Sequence, residues 1–319
     1  ISVGHLNMKP SVSLGNFPCL RTLCIESADV ALVRSVHKLK HLRYLSIRNY
    51  DISCLPENIG KMKFLQYISI IGSQQFVKLP DSIVNLGKLW SLDFRGTRIN
   101  GIPRGFCALK NLRRLRGFPV QVDGDWCSLD ELGPLSRLRI IELIQLENVS
   151  LASFAANARL GEKMHLTNLF LSCTSRLGDD GLVKEKEGVS EEEQQRIEKV
   201  FDELCPSPSL EYLDINGFFG RRLPRWMTSR SAAVFKSLRI ILMYDLACCT
   251  QLPDGLCQLP SLQEIDTRRA PAIKRVGPEF LQPYQTLAAF SRLRKLELTG
   301  MGGVGVEGAS ASHASFGGA

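Results

Sequence analysis

The chain has 319 residues, of which 44% are hydrophobic and 23% are charged, and its formal net charge is +8. That composition is typical of a folded protein and supplies ample material for a core. No run of eighteen apolar residues occurs, so the sequence predicts no transmembrane helix. The ten cysteines form no C-x-x-C pair and the five histidines no H-E-x-x-H motif, so we expect no metal and no cofactor.

The positive charge is unevenly distributed along the chain. The segment 182–205 holds eight acidic and four basic residues, a net charge of −4, which leaves +12 for the remainder. A basic surface permits a polyanionic partner. However, the bases form no uninterrupted run and accompany no aromatic stacking motif, so we expect no nucleic acid partner.

The chain is built around a repeat of the form L-x-x-L-x-L, in which Ile, Met or Phe can replace Leu. From Leu20 to Leu112 the first leucines of successive units are separated by 22, 23, 24 and 23 residues, and wider steps follow. A period of about two dozen residues is typical of leucine-rich repeats. About eleven units begin at Leu20, Leu42, Leu65, Leu89, Leu112, Leu138, Leu166, Leu210, Leu238, Leu262 and Leu293.

The spacing within each unit has a physical reason. Side chains alternate between the two faces of a strand, so the fourth and sixth residues point together into a core. Several units continue with Leu-Pro or Ile-Pro and a second apolar residue, as in Leu55, Pro56 and Ile59. Proline fixes φ and donates no hydrogen bond, so this half returns to the next strand outside the sheet. Since one unit cannot bury its apolar face alone, neighbouring units cover one another.

These features predict an α/β solenoid, a leucine-rich-repeat horseshoe with short parallel strands on its concave face. Residues 1–16 are interpreted as the remnant of a preceding repeat or a linker. Residues 17–301 form the predicted array, which carries a helical insertion near 175–206. Residues 302–319 are rich in Gly, Ala and Ser and are predicted to be a disordered tail.

The insertion contains a predicted helix near 191–204. Ser190 and Glu193 have the spacing of a capping box, in which each side chain satisfies a backbone amide at the helix start. One apolar stripe follows at Ile197, Val200, Phe201 and Leu204. Because an apolar stripe must be covered, we expect the helix to be amphipathic and to dock against the array.

No catalytic motif stands out. The G-x-G-x-x-G pattern at 303–308 lies in the Gly-rich tail and has no strand and helix around it, so it reflects composition rather than a dinucleotide site. The chain contains neither a G-x-x-x-x-G-K-[ST] loop nor a G-x-S-x-G elbow. We therefore predict that the chain is not an enzyme.

Two segments carry a resemblance to a known family. One is L-K-H-L-R-Y-L-S-I at 39–47 with L-P-E-N-I-G at 55–60, and the other runs from C-P at 205–206 to L-P-R-W-M at 223–227. Both resemble the repeat region of plant intracellular nucleotide-binding leucine-rich-repeat disease-resistance receptors of the coiled-coil type. The likeness covers roughly residues 17–300, and the second segment is the more specific.

The resemblance implies a cytoplasmic recognition module of plant innate immunity. Such modules recognise pathogen effectors or guarded host proteins, and they restrain the nucleotide-binding module of the parent receptor in cis. This chain has no P-loop, so no nucleotide is assigned to it. A generic intracellular leucine-rich-repeat scaffold for protein–protein interaction remains the alternative, and a P-loop encoded upstream in the parent reading frame would distinguish the two.

The third, fifth and seventh residues of each unit should face outward on the concave side of the sheet, exposed to a partner. Tyrosine and arginine are frequent there, and both are common in binding hot spots. Two early arginines, Arg114 and Arg116, are predicted to hold the nucleotide-binding module. The predicted partner-binding residues are Tyr44, Arg48, Tyr67, Asp93, Arg95, Arg114, Arg116, Glu142, Phe170, Tyr212, Asp214, Tyr244, Asp266 and Arg268.

Overall fold

The computed structural model describes residues 2–3, 14–26, 30–48, 52–120, 126–184, 188–274 and 290–302. The chain divides into two compact units, unit 1 (Ile1–Leu166) and unit 2 (Thr167–Ala319). The predicted tail after Gly302, with its G-x-G-x-x-G pattern, lies outside the described residues. A single array over 17–301 stays a prediction.

Unit 1 contains short strands that pair side by side. They are β1 (Ser2–Val3), β2 (Thr22–Glu26), β3 (Tyr44–Arg48), β4 (Tyr67–Ile70), β5 (Ser91–Asp93), β6 (Arg114–Pro119) and β7 (Ile140–Ile144). Each strand pairs in parallel with the next one along the chain. The predicted leucine-rich-repeat solenoid is therefore confirmed, and each strand with its return segment is called a rung below.

The leucine positions of successive rungs form the core of unit 1. Leu45, Ile68 and Leu92 are all fully buried, and they are register partners across β3, β4 and β5. Residues more than twenty positions apart in the chain thus become nearest neighbours. Because side chains alternate along a strand, this stacking buries one face of the sheet and leaves the other face outward.

The return segments consist mostly of 3-10 turns. In unit 1 these are Leu14–Asn16, Val36–Lys38, Ile59–Lys61, Asp81–Asn85, Phe106–Ala108, Leu129–Leu132, Leu146–Asn148 and Leu160–Glu162, together with helices α1 (Val30–Arg34) and α2 (Ala152–Ala156). The predicted apolar anchors of these segments, such as Leu55 and Ile59, are buried. Pro80 has φ −68° and precedes one of the turns, as expected for a residue that leaves the sheet.

The rung that begins at Leu112 lacks its third leucine because a β-bulge replaces it. Gly117 has φ 73°, and a Cβ there would lie 3.1 Å from the backbone of both Phe94 and Arg95. The strand register shifts between Leu115 and Phe118. Phe118 is buried, so its ring fills the core in place of the missing side chain.

Unit 1 also buries a lysine. Lys163 is only 1% exposed, and its Nζ donates hydrogen bonds to the carbonyl oxygens of Leu132 at 2.7 Å, Gly133 at 3.1 Å and Leu135 at 3.3 Å. Burial lowers the pKa of Lys163 from 10.5 to about 8. The amine therefore ties its own return segment to that of the preceding rung.

Unit 2 repeats the same architecture. Its strands are β8 (Asn168–Ser172), β9 (Tyr212–Asn216), β10 (Ile240–Tyr244), β11 (Glu264–Ala270) and β12 (Lys295–Met301), with helices α3 (Glu191–Glu203) and α4 (Ser229–Ala232) and 3-10 turns at Arg225–Met227 and Asp254–Gln258. The strands pair in parallel in chain order. Leu213, Ile241 and Ile265 form a fully buried row. Leu296, predicted to point into the core, is 40% exposed in β12.

The predicted insertion helix is α3. Ser190 Oγ accepts a hydrogen bond from the Glu193 amide at 3.2 Å, and Glu193 Oε2 accepts one from the Ser190 amide at 3.0 Å, which completes the capping box. Phe201 packs edge-on against Phe218 with ring centroids 4.8 Å apart. Trp226 Nε1 donates to the Phe201 carbonyl at 2.9 Å. The helix therefore docks within unit 2, as predicted.

Ion pairs fasten the acidic side of α3. Arg222 contacts Asp202 at 2.8 Å and Glu198 at 3.1 Å, and Arg221 contacts Glu191 at 2.7 Å. The hydrogen bond with Asp202 raises the pKa of Arg222. Three of the eight acidic residues in 182–205 are thus paired within unit 2. None of the helices in the described ranges combines the length and apolarity that a bilayer crossing requires.

Candidate functional site

The outer face of the unit 1 sheet carries the first group of predicted residues. In β3, half-buried Tyr44 and Ser46 alternate with buried Leu45 and Ile47, as the period of two requires. The predicted residues that share this face are Tyr44, Arg48, Tyr67, Asp93, Arg95, Arg114, Arg116 and Glu142. The term outer face is used below for these residues of unit 1.

An aromatic stack forms one end of the outer face. Tyr44 and Tyr67 are register partners, and their rings stack at 4.2 Å with an interplanar angle of 6°. Trp90 continues the row, 5.9 Å from Tyr67, and is 40% exposed. Burial, helped by the hydrogen bond with Tyr67, raises the pKa of Tyr44 to about 12. The stack is thus a neutral, preformed apolar surface with polar ends, which suits contact with another protein.

Paired charges occupy the other end of the outer face. Asp93 accepts hydrogen bonds from Arg95 Nε at 3.0 Å and Nη2 at 2.9 Å, and Arg114 Nη2 lies 3.5 Å from the same carboxylate. Arg116 Nε donates to Glu142 at 2.8 Å. The hydrogen bond with Asp93 raises the pKa of Arg95.

One detail of this arrangement differs from the prediction. The alternation along the strand predicts that Asp93 is exposed to a partner, yet it is only 1% exposed. The reason is geometric: the longer side chains of Arg95, two residues after the end of β5, and of Arg114, on β6, lie over it and satisfy it. Asp93 therefore orients Arg95 and Arg114, whose own side chains remain about one third exposed at 38% and 31%.

Unit 2 holds the second group of predicted residues, which are Phe170, Tyr212, Asp214, Tyr244, Asp266 and Arg268. Phe170 and Tyr212 contact each other with ring centroids 5.1 Å apart. The Tyr212 hydroxyl points to Asp214 at 3.5 Å. These residues alternate with the buried aliphatic positions of β8 and β9.

A buried carboxylate recurs in unit 2. Asp266 is 2% exposed, accepts two hydrogen bonds from Arg268 at 2.9 and 2.8 Å, and accepts one from the Tyr244 hydroxyl at 3.3 Å. Burial, followed by the charge of Asp266, raises the pKa of Tyr244. The prediction that Asp266 is exposed is therefore wrong, as it is for Asp93. Neighbouring side chains cover the carboxylate, which in turn orients Arg268.

Both groups offer stacking surface and oriented hydrogen-bonding groups, which suit binding. The described ranges contain no group of three or more His, Cys, Asp or Glu residues that could hold a metal ion. Whether these residues bind a partner stays a prediction.

Sequence reasoning missed a further row of residues at the edge of the unit 1 sheet. The residue that immediately precedes each strand forms this row, which we call the rim: Arg21, Arg43, Gln66, Trp90, Arg113 and Arg139. The sequence does carry a signal for the rim, because its members hold the same position in successive repeats. The rim does not show as a run of consecutive bases, since more than twenty residues separate each member from the next.

The comparison with protein families agrees with this architecture. The family described as "Leucine-rich repeat region" matches residues 2–247. The chain is 29% identical over 314 residues to "Putative disease resistance RPP13-like protein 1" of Arabidopsis thaliana, covering 82% of this chain and 29% of that protein. It is 28% identical over 285 residues to "Putative disease resistance protein RGA1" of Solanum bulbocastanum, covering 82% and 27%.

The chain thus spans less than a third of the length of these relatives. Among solved structures, a leucine-rich-repeat protein of Leptospira interrogans aligns with a TM-score of 0.48 and 16% identity, covering 90% of this chain and 81% of that one.

Proposed function

The chain belongs to the leucine-rich repeat region family, and on that premise we propose that it is the protein-recognition module of a plant innate immune receptor. It senses a pathogen effector, or a host protein that an effector modifies, and it works in the cytoplasm. Two findings support the proposal: the related proteins are plant disease-resistance proteins, and the fold is typical of interaction modules rather than enzymes.

The observation that carries the proposal is the outer face of unit 1. The Tyr44–Tyr67 stack is already assembled, with 4.2 Å between ring centroids, and Asp93 holds the Arg95 guanidinium through three side-chain hydrogen bonds. Groups that are fixed before binding lose less conformational freedom on association. Large aromatic and arginine side chains in such positions are the usual hot spots of protein interfaces.

The proposal includes restraint of a nucleotide-binding module in the parent receptor. Arg114 and Arg116 are the predicted contacts, yet each already lies against a carboxylate of its own sheet, Asp93 and Glu142. A simple charge reversal would therefore break an internal pair as well as a contact in cis. The informative experiment compares Arg116→Glu with the double swap Arg116→Glu/Glu142→Arg in the parent receptor.

In that comparison, autoactivity of Arg116→Glu that persists in the double swap assigns the restraint to the outward charge of Arg116. Full rescue by the swap assigns the effect to the internal pair and rejects Arg116 as a contact in cis. Absence of autoactivity in both variants rejects it equally.

Partner recognition is tested by placing a photo-crosslinking benzoylphenylalanine at Tyr67 in the 319-residue chain, expressed in plant cells with and without pathogen challenge. The matched control carries the same group at Lys110, which is exposed on a return segment of unit 1. We expect a discrete protein adduct from position 67 after challenge and none of that mass from position 110. Identical adducts from both positions, or none from position 67, would reject recognition by the outer face.

A further inference from the structure

The rim of unit 1 is one continuous row rather than a set of scattered residues. Backbone amides of Arg43, Gln66, Trp90, Arg113 and Arg139 each donate to the carbonyl of the previous rim residue, at 2.7–2.9 Å. Neighbouring strands are about 4.8 Å apart, so the row from Arg21 to Arg139 is roughly 24 Å long. About seven residues of an extended polypeptide cover that length.

Two grooves run along the rim. The larger has a volume of about 580 Å³ and is lined by Gln66, Lys88, Trp90, Asn111, Arg113, Arg114, Arg139 and Ile140. The smaller, of about 210 Å³, is lined by Cys19, Arg21, His41, Arg43 and Phe64. Neither lining includes an acidic residue, so both grooves are basic and partly aromatic.

Three arginines of the rim and one lysine of the larger groove are exposed and have no ion pair among the described residues. They are Arg21, Arg43, Arg113 and Lys88. Arg114 also lines the larger groove and keeps 31% of its side chain exposed, although its Nη2 lies 3.5 Å from Asp93. The grooves therefore carry positive charge that a ligand rich in carboxylates would neutralise.

The aromatic rings beside the rim bear on the class of ligand. Phe64 already stacks with His41 at 5.6 Å and lies under the Lys88 ammonium at 4.6 Å, and Tyr67 stacks on Tyr44. Binding of single-stranded nucleic acid uses a series of free aromatic faces on which successive bases stack. Here Trp90 is the ring that combines 40% exposure with a place in the larger groove. A ligand that fits this arrangement has one apolar side chain, to contact Trp90, among many carboxylates.

We propose that the rim of unit 1 binds an extended acidic polypeptide segment, with an apolar side chain of that segment against Trp90. This inference deepens the proposed function, on which it rests, by giving the recognised protein a chemistry and by placing one contact beside the outer face. The equivalent row of unit 2, namely Thr167, Glu211, Arg239, Gln263 and Arg294, has mixed charge. That row therefore provides a matched control.

The test measures fluorescence anisotropy of a labelled ten-residue peptide, nine glutamates around a leucine, titrated with the 319-residue chain. We expect the double variant Arg43→Glu/Arg113→Glu to weaken binding about tenfold or more, since each reversal removes an attraction and adds a repulsion. The control Arg239→Glu/Arg294→Glu changes the same charge at the same repeat position and should stay within about twofold of the unmodified chain. Circular dichroism confirms the fold of each, and Arg43→Gln/Arg113→Gln serves if a reversal fails to fold.

Trp90→Ala separates the apolar contact from the charge. It should weaken the leucine-containing peptide about fivefold and leave an all-glutamate peptide nearly unchanged. A peptide with glutamine in place of glutamate should not bind, and oligothymidylate of ten nucleotides should bind more weakly than the acidic peptide. Tighter binding of the oligonucleotide, equal binding of the glutamine peptide, or equal losses in the rim and control variants would each overturn the proposal.

The two proposals fail in distinguishable ways. If no adduct forms from position 67 but the acidic peptide binds the rim, recognition by the outer face is rejected and the rim proposal is not. If the adduct forms but the peptide does not bind, the rim proposal alone is rejected.

Discussion

Replacement of Lys163 by methionine is a test of how neighbouring rungs are joined. The variant keeps the apolar stem but removes the Nζ that donates to three carbonyl oxygens. Leaving those buried acceptors without a donor costs roughly 1–2 kcal/mol each, or roughly 3–6 kcal/mol together. The lowering of the pKa from 10.5 to about 8 means that the buried charge itself costs roughly 3 kcal/mol, which the variant recovers. These two contributions leave a net loss of roughly 0–3 kcal/mol in the free energy of unfolding at pH 7, and we expect about 2 kcal/mol.

The pH dependence gives this prediction a sign. Lys163 releases its proton near pH 8 in the folded chain but near pH 10.5 in the unfolded chain. Between those values the unfolded chain binds the additional proton, so raising the pH stabilises the folded state through this group. From pH 7 to pH 9 the gain is about 1 kcal/mol. The loss caused by Lys163→Met should therefore increase from about 2 to about 3 kcal/mol over that range.

Urea denaturation followed by circular dichroism, at pH 7, 8 and 9, measures this difference. Burial also raises the pKa of Cys127 and Cys249, which lowers stability as the pH rises toward 9, but both thiols are present in the two proteins and cancel in the subtraction. Lys110→Met, at an exposed lysine, should show a small difference that is independent of pH. A Lys163→Met difference that is constant or shrinks with pH, or a variant as stable as the original at pH 9, would refute this reasoning.

Three further substitutions test other parts of the fold, each by the change in urea midpoint. Gly117→Ala should cost about 1–2 kcal/mol, because its φ of 73° and the 3.1 Å approach of neighbouring backbone leave no room for a Cβ. The control Gly87→Ala, where a Cβ would meet nothing within 4 Å, should change stability by no more than about 0.5 kcal/mol. Equal losses in the two variants would contradict the bulge. Ser190→Ala should cost about 1 kcal/mol by removing the cap of α3, whereas an unchanged midpoint would mean that the cap contributes nothing. Phe201→Ala should cost about 3–5 kcal/mol as its buried ring against Phe218 is lost, and a loss below about 1 kcal/mol would contradict the docking of the helix.

The rungs could be predicted because their cause is local and periodic. Alternation along a strand and a repeat of about two dozen residues determine which aliphatic side chains meet, as Leu45, Ile68 and Leu92 do. The helix α3 was equally accessible, since its cap and its apolar stripe are read from consecutive residues. Such features need no knowledge of what lies on the next rung.

The environment of the candidate site could not be predicted in the same way. Asp93 and Asp266 occupy outward positions, but their burial depends on the length and direction of arginine side chains nearby. The bulge at Gly117 likewise depends on how closely the preceding rung approaches. Alternation along a strand predicts on which face of the sheet a side chain lies, whereas its neighbours across the sheet determine how exposed it is.

The rim shows a third kind of limit. Its members are separated by more than twenty residues in the sequence, so a search for consecutive bases does not find them. Reading down the column of residues that precede each strand would have found them, once the repeat was known. The net charge alone does not indicate where on the surface the excess positive charge lies.

The central claim is that residues one repeat apart lie side by side in adjacent parallel strands. Cys24 and Ser46 are register partners in β2 and β3, and adjacent strands bring Cα atoms to about 4.8 Å, within the range that a disulfide spans. The single substitution Ser46→Cys should therefore produce, on mild oxidation, a disulfide to Cys24 that peptide mass spectrometry identifies. Ser136→Cys, in the rung of β7 and roughly 24 Å from Cys24 by strand spacing, should not form it. Failure of the Ser46→Cys chain to link to Cys24, or equal linkage from position 136, would contradict the stacked arrangement.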